Sequence, residues 1–349
     1  MQFNHTRLQD ILVLAQVEEA GTSPTWLADL FMAGVPTAAF NSIISRNDVA
    51  ALIDEDVASD IMTKAVDQSA ALTLFRRVTM SSAQQRMPVL SALPVAYFVN
   101  GDTGLKQTTE VNWANKYLDV EEIACIVPIP EAVLDDVDFD VWGEIKPLIE
   151  EAVGRTLDQA IFFGVNKPSV WPKSIVNIAN DAGSTFTRGT SAKIDGGIAE
   201  DFNKLFSMVE EDGFDIDGLI ANRSYKGKLR GARDAQGQKL EDVSTTSVYD
   251  QEVSYPMRGQ WPVGALAPEV IVGDFSQGII GVRKDLTYKI LSEAVIQDNT
   301  GKIIYNLAQQ DMVAMRVVAR FAFQISNVVN YDEPIESLRS PWGLMLAPA

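Results

Sequence analysis

The amino-acid sequence predicts an α+β fold, and three stretches of the chain carry this prediction. In the first, from Asp140 to Gly164, apolar residues recur at spacings of three and four, as on one face of a helix. In the second, from Met312 to Ile325, apolar and polar positions alternate, which is typical of one very long strand. In the third, residues 84–127, two strand-like runs flank a polar tip. The helix is too polar to cross a membrane, so a sheet or a second layer must cover its apolar face.

Residues at the two ends and in the middle of the predicted helix indicate where it starts, stops and bends. Asp140 is a candidate N-cap, and Gly164 is a candidate stop. Pro147 lies in the interior, where it removes a hydrogen bond and crowds the carbonyl of Gly143, so a kink is predicted there. The charged residues between the apolar positions are predicted to occupy much of the remaining surface: Glu144, Lys146, Glu150, Glu151, Arg155 and Asp158.

Composition places the chain among ordinary globular proteins with an acidic surface. Its 349 residues favour two domains or one domain with large excursions, and 46% of them are hydrophobic and 22% charged. The net charge of −18 argues against a protein that wraps nucleic acid. The start of the chain does not resemble a signal peptide, and no apolar run is long enough to span a membrane, so synthesis in the cytosol is expected. Cys125, the one cysteine, is predicted to be buried and inert.

The first part of the chain predicts a helix, an arm and a second helix. Residues 6–20 have helical spacing, and the stretch that follows is apolar but broken by Gly, Pro and Ser, which favours an extended arm. Residues 54–75 predict a helix that is closed by the positive charges of Arg76 and Arg77. The ribbon of residues 84–127 should then lie on a partner chain, because an isolated two-stranded ribbon is marginal in water.

The segments after the long helix predict a mixture of strands and helices. Strands are predicted at 171–180, 216–221, 269–273 and 286–295, a helix at 195–211, a cap at Asn222, a polar loop at 233–238 and a turn at 298–301.

The sequence offers no catalytic, cofactor-binding or metal-binding residues. His5 is the only histidine, which excludes a histidine-based triad, and zinc sites of Cys and His are excluded by their number. Residues 101–106 resemble a phosphate loop, but the glycine spacing is wrong and no helix follows. Residues 212–218 lack the ligand spacing of a calcium loop. The aspartates at 135, 136, 138 and 140 are better explained as charges at a helix start than as metal ligands.

Taken in order, several segments resemble the major capsid proteins of tailed bacteriophages, the Hong Kong 97 type, whose fold encapsulins and the herpesvirus capsid floor share. They are VASDIMTKAVDQSAALTLFRRVTMSS with RMPVL, ACIVPIPEAVLDDVDFDVWGEIKPLIEEAVGRTLDQAIFFG, DGLIANRSYKGKLRGARDAQGQKL, VIVGDFSQGIIGVR and MVAMRVVARFAF. The resemblance runs from about residue 54 to residue 330. Each segment alone is weakly specific, whereas the ordered set is strong.

This resemblance implies a division of the chain into named regions. They are an N-terminal arm (1–53), a helix leading into the extended loop (54–83), the extended two-stranded loop (84–127), a peripheral domain (128–185 and 298–335) with a spine helix (140–163), an axial domain (186–297) and a C-terminal tail (336–349). The extended loop would lie over a neighbouring subunit, the arm would clasp another, and a loop near 233–240 would meet its copies at the centre of each capsomer.

The resemblance also implies a function and partners. The chain would be a structural protein and not an enzyme, assembling as hexamers and pentamers into an icosahedral shell around double-stranded DNA. It would bind DNA without sequence specificity, have no cofactor and no membrane partner, and meet a separate scaffolding protein, a portal and a possible decoration protein. The protein would be assembled in the host bacterial cytoplasm and would be found in the virion. An encapsulin-like compartment is the alternative.

One feature of some relatives is not expected here. Certain family members join subunits by isopeptide bonds between a lysine of the extended loop and an asparagine, with help from a glutamate. Lys106 matches the lysine, but Asp311 stands at the asparagine position and Val318 at the glutamate position. The resemblance therefore implies a shell that is held together without covalent cross-links. In this family the spine helix also bends or straightens as the shell expands, which would give the kink at Pro147 a role in maturation. The alternative is that the kink only curves the helix around its sheet.

Overall fold

The computed structural model of the chain describes residues 69–348, apart from 100–105, 107, 137–139, 193, 195, 235, 257–258, 263–266 and 299; for 284 and 285 it describes the backbone alone. The predicted helix at 6–20, the predicted arm, most of the predicted helix at 54–75 and the tip of the predicted ribbon lie outside these residues. Within them the fold is a mixture of helices and sheets, so the predicted α+β class is confirmed.

The described helices are short, with two exceptions. In chain order they are α1 (Ala70–Leu74), α2 (Glu131–Asp135), α3 (Val141–Asp158), a π-helical turn (Gln159–Phe163), α4 (Ile175–Ala182), α5 (Ile198–Glu211), a 3-10 turn (Arg223–Tyr225), α6 (Lys226–Arg230) and a second 3-10 turn (Phe275–Gln277). We call α3 and the π-helical turn together the spine helix. No helix in the described ranges is both long enough and apolar enough to cross a membrane.

The described strands form three sheets. They are β1 (Arg76–Thr79), β2 (Gln84–Ala92), β3 (Asn112–Pro130), β4 (Thr185–Thr187), β5 (Gly218–Ala221), β6 (Ser247–Val248), β7 (Gln251–Ser254), β8 (Pro268–Gly273), β9 (Gly278–Leu291), β10 (Val295–Gln297), β11 (Ile303–Asn306), β12 (Met312–Ile325) and β13 (Trp342–Leu346). A five-stranded sheet has the order β1-β9-β12-β3-β2, a six-stranded sheet the order β4-β13-β8-β5-β7-β6, and β10 pairs only with β11.

The spine helix follows its prediction closely. It runs from Val141 to Phe163 and stops at Gly164, whose left-handed φ of 75° favours glycine. Pro147 lies inside α3, as predicted. Asp140 stands at the N-cap position but makes no capping hydrogen bond. Its side chain lies over Gly143, where an added Cβ would come within 2.8 Å of the carboxylate, so a larger residue at this position would displace the Asp140 side chain.

The long strand β12 lies at the centre of the five-stranded sheet, with β9 and β3 antiparallel on either side. Its odd-numbered residues from Met315 to Ile325 pack in one core with Ile149, Val153 and Leu157 of the spine helix. The predicted strand and its inward face are therefore confirmed. The even-numbered residues form the opposite face, which buries Met312, Ala314 and Ala322 and keeps Arg316 exposed.

Two short segments differ from their predictions. Residues 171–180 were expected to form a strand, whereas α4 begins at Ile175 because Ser174 caps it, accepting a hydrogen bond from the Asn177 backbone N–H at 3.4 Å. Arg76 and Arg77 were expected to close a helix, whereas they begin β1, which pairs in parallel with β9. Long-range strand pairing overrides the local helical pattern at the second site.

Sheet partners also differ from what local patterns indicate. Residues 84–127 were expected to form one ribbon, whereas β3 pairs with β2 only up to Asp119 and with β12 from Val120 to Pro130. Of the predicted strand at 286–295, only the part up to Leu291 belongs to β9, which begins earlier, at Gly278, whereas Val295 begins β10. The six-stranded sheet takes its strand β13 from the predicted tail. The strands of the two larger sheets thus interleave along the chain.

Candidate functional site

The ribbon formed by β2, the described segment that follows it and the first part of β3 exposes large apolar side chains. Trp113 is 65% exposed, Val95 is 66% exposed and Phe98 is fully exposed. Each would contribute about 1.5–3 kcal/mol on complete burial, so exposure in an isolated chain is unfavourable compared with contact. An exposed apolar surface on a projecting element is typical of a surface that another protein covers.

The root of the ribbon is fixed to the segment that follows β12. The Lys116 ammonium donates to the backbone carbonyls of Ile325 and Ser326, at 3.2 and 2.9 Å, and forms an ion pair with Glu336 at 2.8 Å. Further along, the Tyr331 hydroxyl donates to the Pro94 carbonyl at 2.8 Å. The ribbon is therefore held at its root while its outer part stays exposed.

The segment after β12 is itself anchored by a buried arginine. Arg339 is 3% exposed, and it donates to the carbonyl of Asn327 at 2.8 Å and to that of Pro334 at 2.9 Å. A pocket of about 290 Å³ lies beside it, lined in part by Lys116, Lys173, Asp181, Glu336 and Arg339. The lining charges pair with one another, as Lys173 does with Asp181 at 2.6 Å. Lys116 is likewise paired with Glu336, and the remaining charge, that of Arg339, is held by backbone carbonyls.

A buried carboxylate joins the spine helix to the first described helix. Asp158 is inaccessible to solvent, although the sequence places it on the polar face of the spine helix. It accepts hydrogen bonds from the Ser69 hydroxyl at 2.5 Å and from the Ala70 and Ala71 backbone N–H groups, each at 3.0 Å. Burial raises the pKa of Asp158, and these donors together with Gln260 oppose the rise.

Glu151 also departs from its predicted exposure. It is 5% exposed and pairs with Arg155 at 2.9 Å, one helical turn away. The burial of Asp158 has a clear cause, because α1 and the segment around Gln260 pack over the end of the spine helix. No signal in the local sequence distinguishes Asp158 from an exposed helix residue.

Residues considered as chemical sites on sequence grounds are not brought together. Within the described ranges, no group of three or more His, Cys, Asp and Glu side chains could hold a metal ion. Cys125 is half-buried rather than buried, and burial raises the pKa of its thiol. Lys106 is exposed. Asp311 has a left-handed backbone with φ of 48°, and Val318 lies in the central strand with 7% exposure.

Comparison with known proteins gives one consistent result. Residues 49–329 match the model of the phage capsid family. The major capsid protein of Staphylococcus phage 80alpha is 24% identical over 273 residues, which cover 76% of this chain and 79% of that protein. A solved structure from Microbacterium phage Oxtober96 is 36% identical, with a TM-score of 0.75 over 88% of this chain and all of the other. One from Mycobacterium phage Cain is 30% identical, with a TM-score of 0.74 over 88% and 99%.

Proposed function

This chain belongs to the phage capsid family, and from that membership we propose that its copies assemble as hexamers and pentamers into an icosahedral shell around double-stranded DNA. The chain is a structural protein of a phage head, with the Hong Kong 97-type fold that the sequence predicted. The observation that carries the proposal is the family match over residues 49–329. The relatives named above give no support to the alternative of an encapsulin-like compartment.

We propose the same division of the chain into regions that the family resemblance implied. We assign residues 128–185 and 298–335, with the spine helix and β12, to a peripheral domain, and 186–297 to an axial domain. The six-stranded sheet supports a separate axial domain, because β5, β7 and β8 form a hydrophobic core of their own with α5. Strand β9 connects the two regions, since it lies in the axial range and pairs with β12 of the peripheral range. Strand β13 joins the C-terminal tail to β8 of the axial range.

The ribbon supports the assembly role most directly. Its root is fixed by Lys116, whereas Trp113, Val95 and Phe98 remain exposed on its outer part. In a shell, these side chains would lie on a neighbouring subunit and lose their contact with water. The arm of residues 1–53 would contribute a further intersubunit contact. Neither of these contacts needs a catalytic residue, which agrees with the structural role of the related major capsid protein.

Further partners follow from the same role. We propose that a separate scaffolding protein guides assembly in the bacterial cytoplasm, that a portal occupies one vertex, and that a decoration protein binds the finished head. Packaged DNA would contact the shell without sequence specificity. The net charge of −18 supports weak rather than tight contact with DNA, since like charges repel over about 8 Å at physiological salt.

The proposal is tested by the particles that the purified chain forms. The full chain, co-expressed with the scaffolding gene of its own phage, should give closed particles of uniform size in negative-stain electron micrographs and by sedimentation. A control expression without that gene measures what the chain does alone. Only monomers or irregular aggregates under both conditions would contradict the proposed function.

Finished particles should also contain no covalent cross-links between subunits. Asp311 and Val318 replace the residues that the bond would need, so boiling mature particles in detergent should release one band near 38.2 kDa. Denaturing gel electrophoresis of empty and mature particles makes the comparison. A ladder of bands at multiples of the subunit mass in the mature sample alone would show that another pair of residues reacts.

A further inference from the structure

The face of the five-stranded sheet that is turned away from the spine helix carries uncompensated positive charge. Arg316 on β12 and Lys289 on β9 are both exposed and lie directly opposite each other in the antiparallel pair. Opposite side chains in such a pair have Cβ atoms about 4.5–5.5 Å apart, and like charges there are destabilising. Within the described part of the chain, neither side chain makes an ion pair.

Beside this pair lies an apolar side chain, and the next ion pair along the same face is already complete. Ile126, 43% exposed, lies opposite Arg316 on β3. Further along the same face, Arg320 forms an ion pair with Glu122 at 2.8 Å. We call Arg316, Lys289 and Ile126 the cationic face. In a chain of net charge −18, an exposed cation pair that forms no ion pair with a described acid is an exception that the described part of its own subunit does not explain.

An acidic cluster lies near the same end of the sheet. We call it the acidic corner; it comprises the exposed residues Glu131, Asp135, Asp140 and Glu144 at α2 and at the start of the spine helix. The helix dipole accounts for Glu131 and Glu144, which lie in first turns. It does not account for Asp135, the last residue of α2, where the dipole disfavours an acid. Asp140 makes no capping hydrogen bond.

Within one chain, the acidic corner and the cationic face are separated. Pro130, which precedes the acidic corner, pairs with Met312, and Arg316 lies four residues further along β12, a distance of about 13 Å at 3.3 Å per residue. From there the spine helix runs over the opposite face of the sheet. Contact between the two surfaces therefore requires a second copy of the chain.

We propose that the acidic corner of one copy docks on the cationic face of a neighbouring copy in the shell. The inference rests on the proposed function, because the shell supplies the neighbour. The contact joins two different surfaces, so its repetition around a rotation axis closes a ring. Ile126 would be covered in the contact, and the repulsion between Arg316 and Lys289 would be relieved by carboxylates from the partner.

Charge reversal and its rescue test the proposal. Arg316→Glu with Lys289→Glu should raise the critical concentration for shell assembly at least about tenfold, because attraction becomes repulsion. Asp135→Lys with Asp140→Lys should have the same effect. All four substitutions together restore opposite charges and the parent net charge, and assembly should return. Light scattering against subunit concentration measures each effect, and urea unfolding of the unassembled subunits shows that all variants fold.

A matched control separates this contact from general charge effects. Lys289→Glu alone is compared with Lys173→Glu, which changes the net charge by the same amount and also removes an exposed lysine. Lys289→Glu should raise the critical concentration, whereas Lys173→Glu should leave it unchanged. Failure of the parent chain to assemble would contradict the proposed function itself. A parent that assembles, together with an unaffected Arg316→Glu/Lys289→Glu variant, would overturn only this inference. So would a variant that assembles normally but whose particles hold less DNA, since the cations would then face phosphate.

Discussion

Replacing Asp158 by alanine should cost the unassembled subunit about 3 kcal/mol or more of unfolding free energy. The substitution leaves the Ser69 hydroxyl and the Ala70 and Ala71 N–H groups without their acceptor in a site that water does not reach. A buried donor without a partner costs about 1–3 kcal/mol, and three donors are affected. Urea unfolding, followed by tryptophan fluorescence and by circular dichroism, measures the change.

Two further variants make this result specific. Asp158→Asn keeps one acceptor oxygen and should cost less, about 1–3 kcal/mol. Glu150→Gln changes an exposed carboxylate of the same helix, which accepts one hydrogen bond from the Tyr288 hydroxyl at 2.6 Å, and should cost less than about 1 kcal/mol. Equal losses for Asp158→Ala and Glu150→Gln would show that Asp158 does not join α1 to the spine helix.

Removing the aromatic side chains of the ribbon should abolish assembly without unfolding the subunit. Phe98→Ser with Trp113→Ser removes two side chains that are exposed in the single chain and would be covered in a shell. Their full burial is worth about 1.5–3 kcal/mol each, and the loss repeats at every subunit of the particle. Shells should therefore be absent from electron micrographs at concentrations at which the parent chain assembles completely.

The control for the ribbon keeps the apolar surface and changes its shape. Phe98→Leu with Trp113→Phe should assemble, at a somewhat higher critical concentration, because most of the apolar area remains. The Ser variants should unfold in urea at the same concentration as the parent subunit, since both positions are exposed. Normal shells from the Phe98→Ser/Trp113→Ser variant would mean that the ribbon does not bury these residues on a neighbour.

Local periodicity was enough to predict the spine helix and β12. The spine helix and β12 each repeat one pattern over many residues, so their apolar faces, their ends and the core between them could be inferred without coordinates. The stop at Gly164 needed only a residue that tolerates a positive φ. With one histidine and one cysteine, the sequence excluded histidine-based triads and zinc sites of Cys and His, and the order of several weak segments indicated the family.

Tertiary structure decided what depends on residues far apart in the chain. Arg316 was recognisable as a polar position of β12, but only the strand register places Lys289 opposite it and sets the acidic corner on the other side of the sheet. Asp158 resembles any exposed helix acid until α1, which is 87–89 residues earlier in the chain, closes over it. Burial and charge pairing are properties of neighbours in space, and a periodic pattern reports only neighbours along one element.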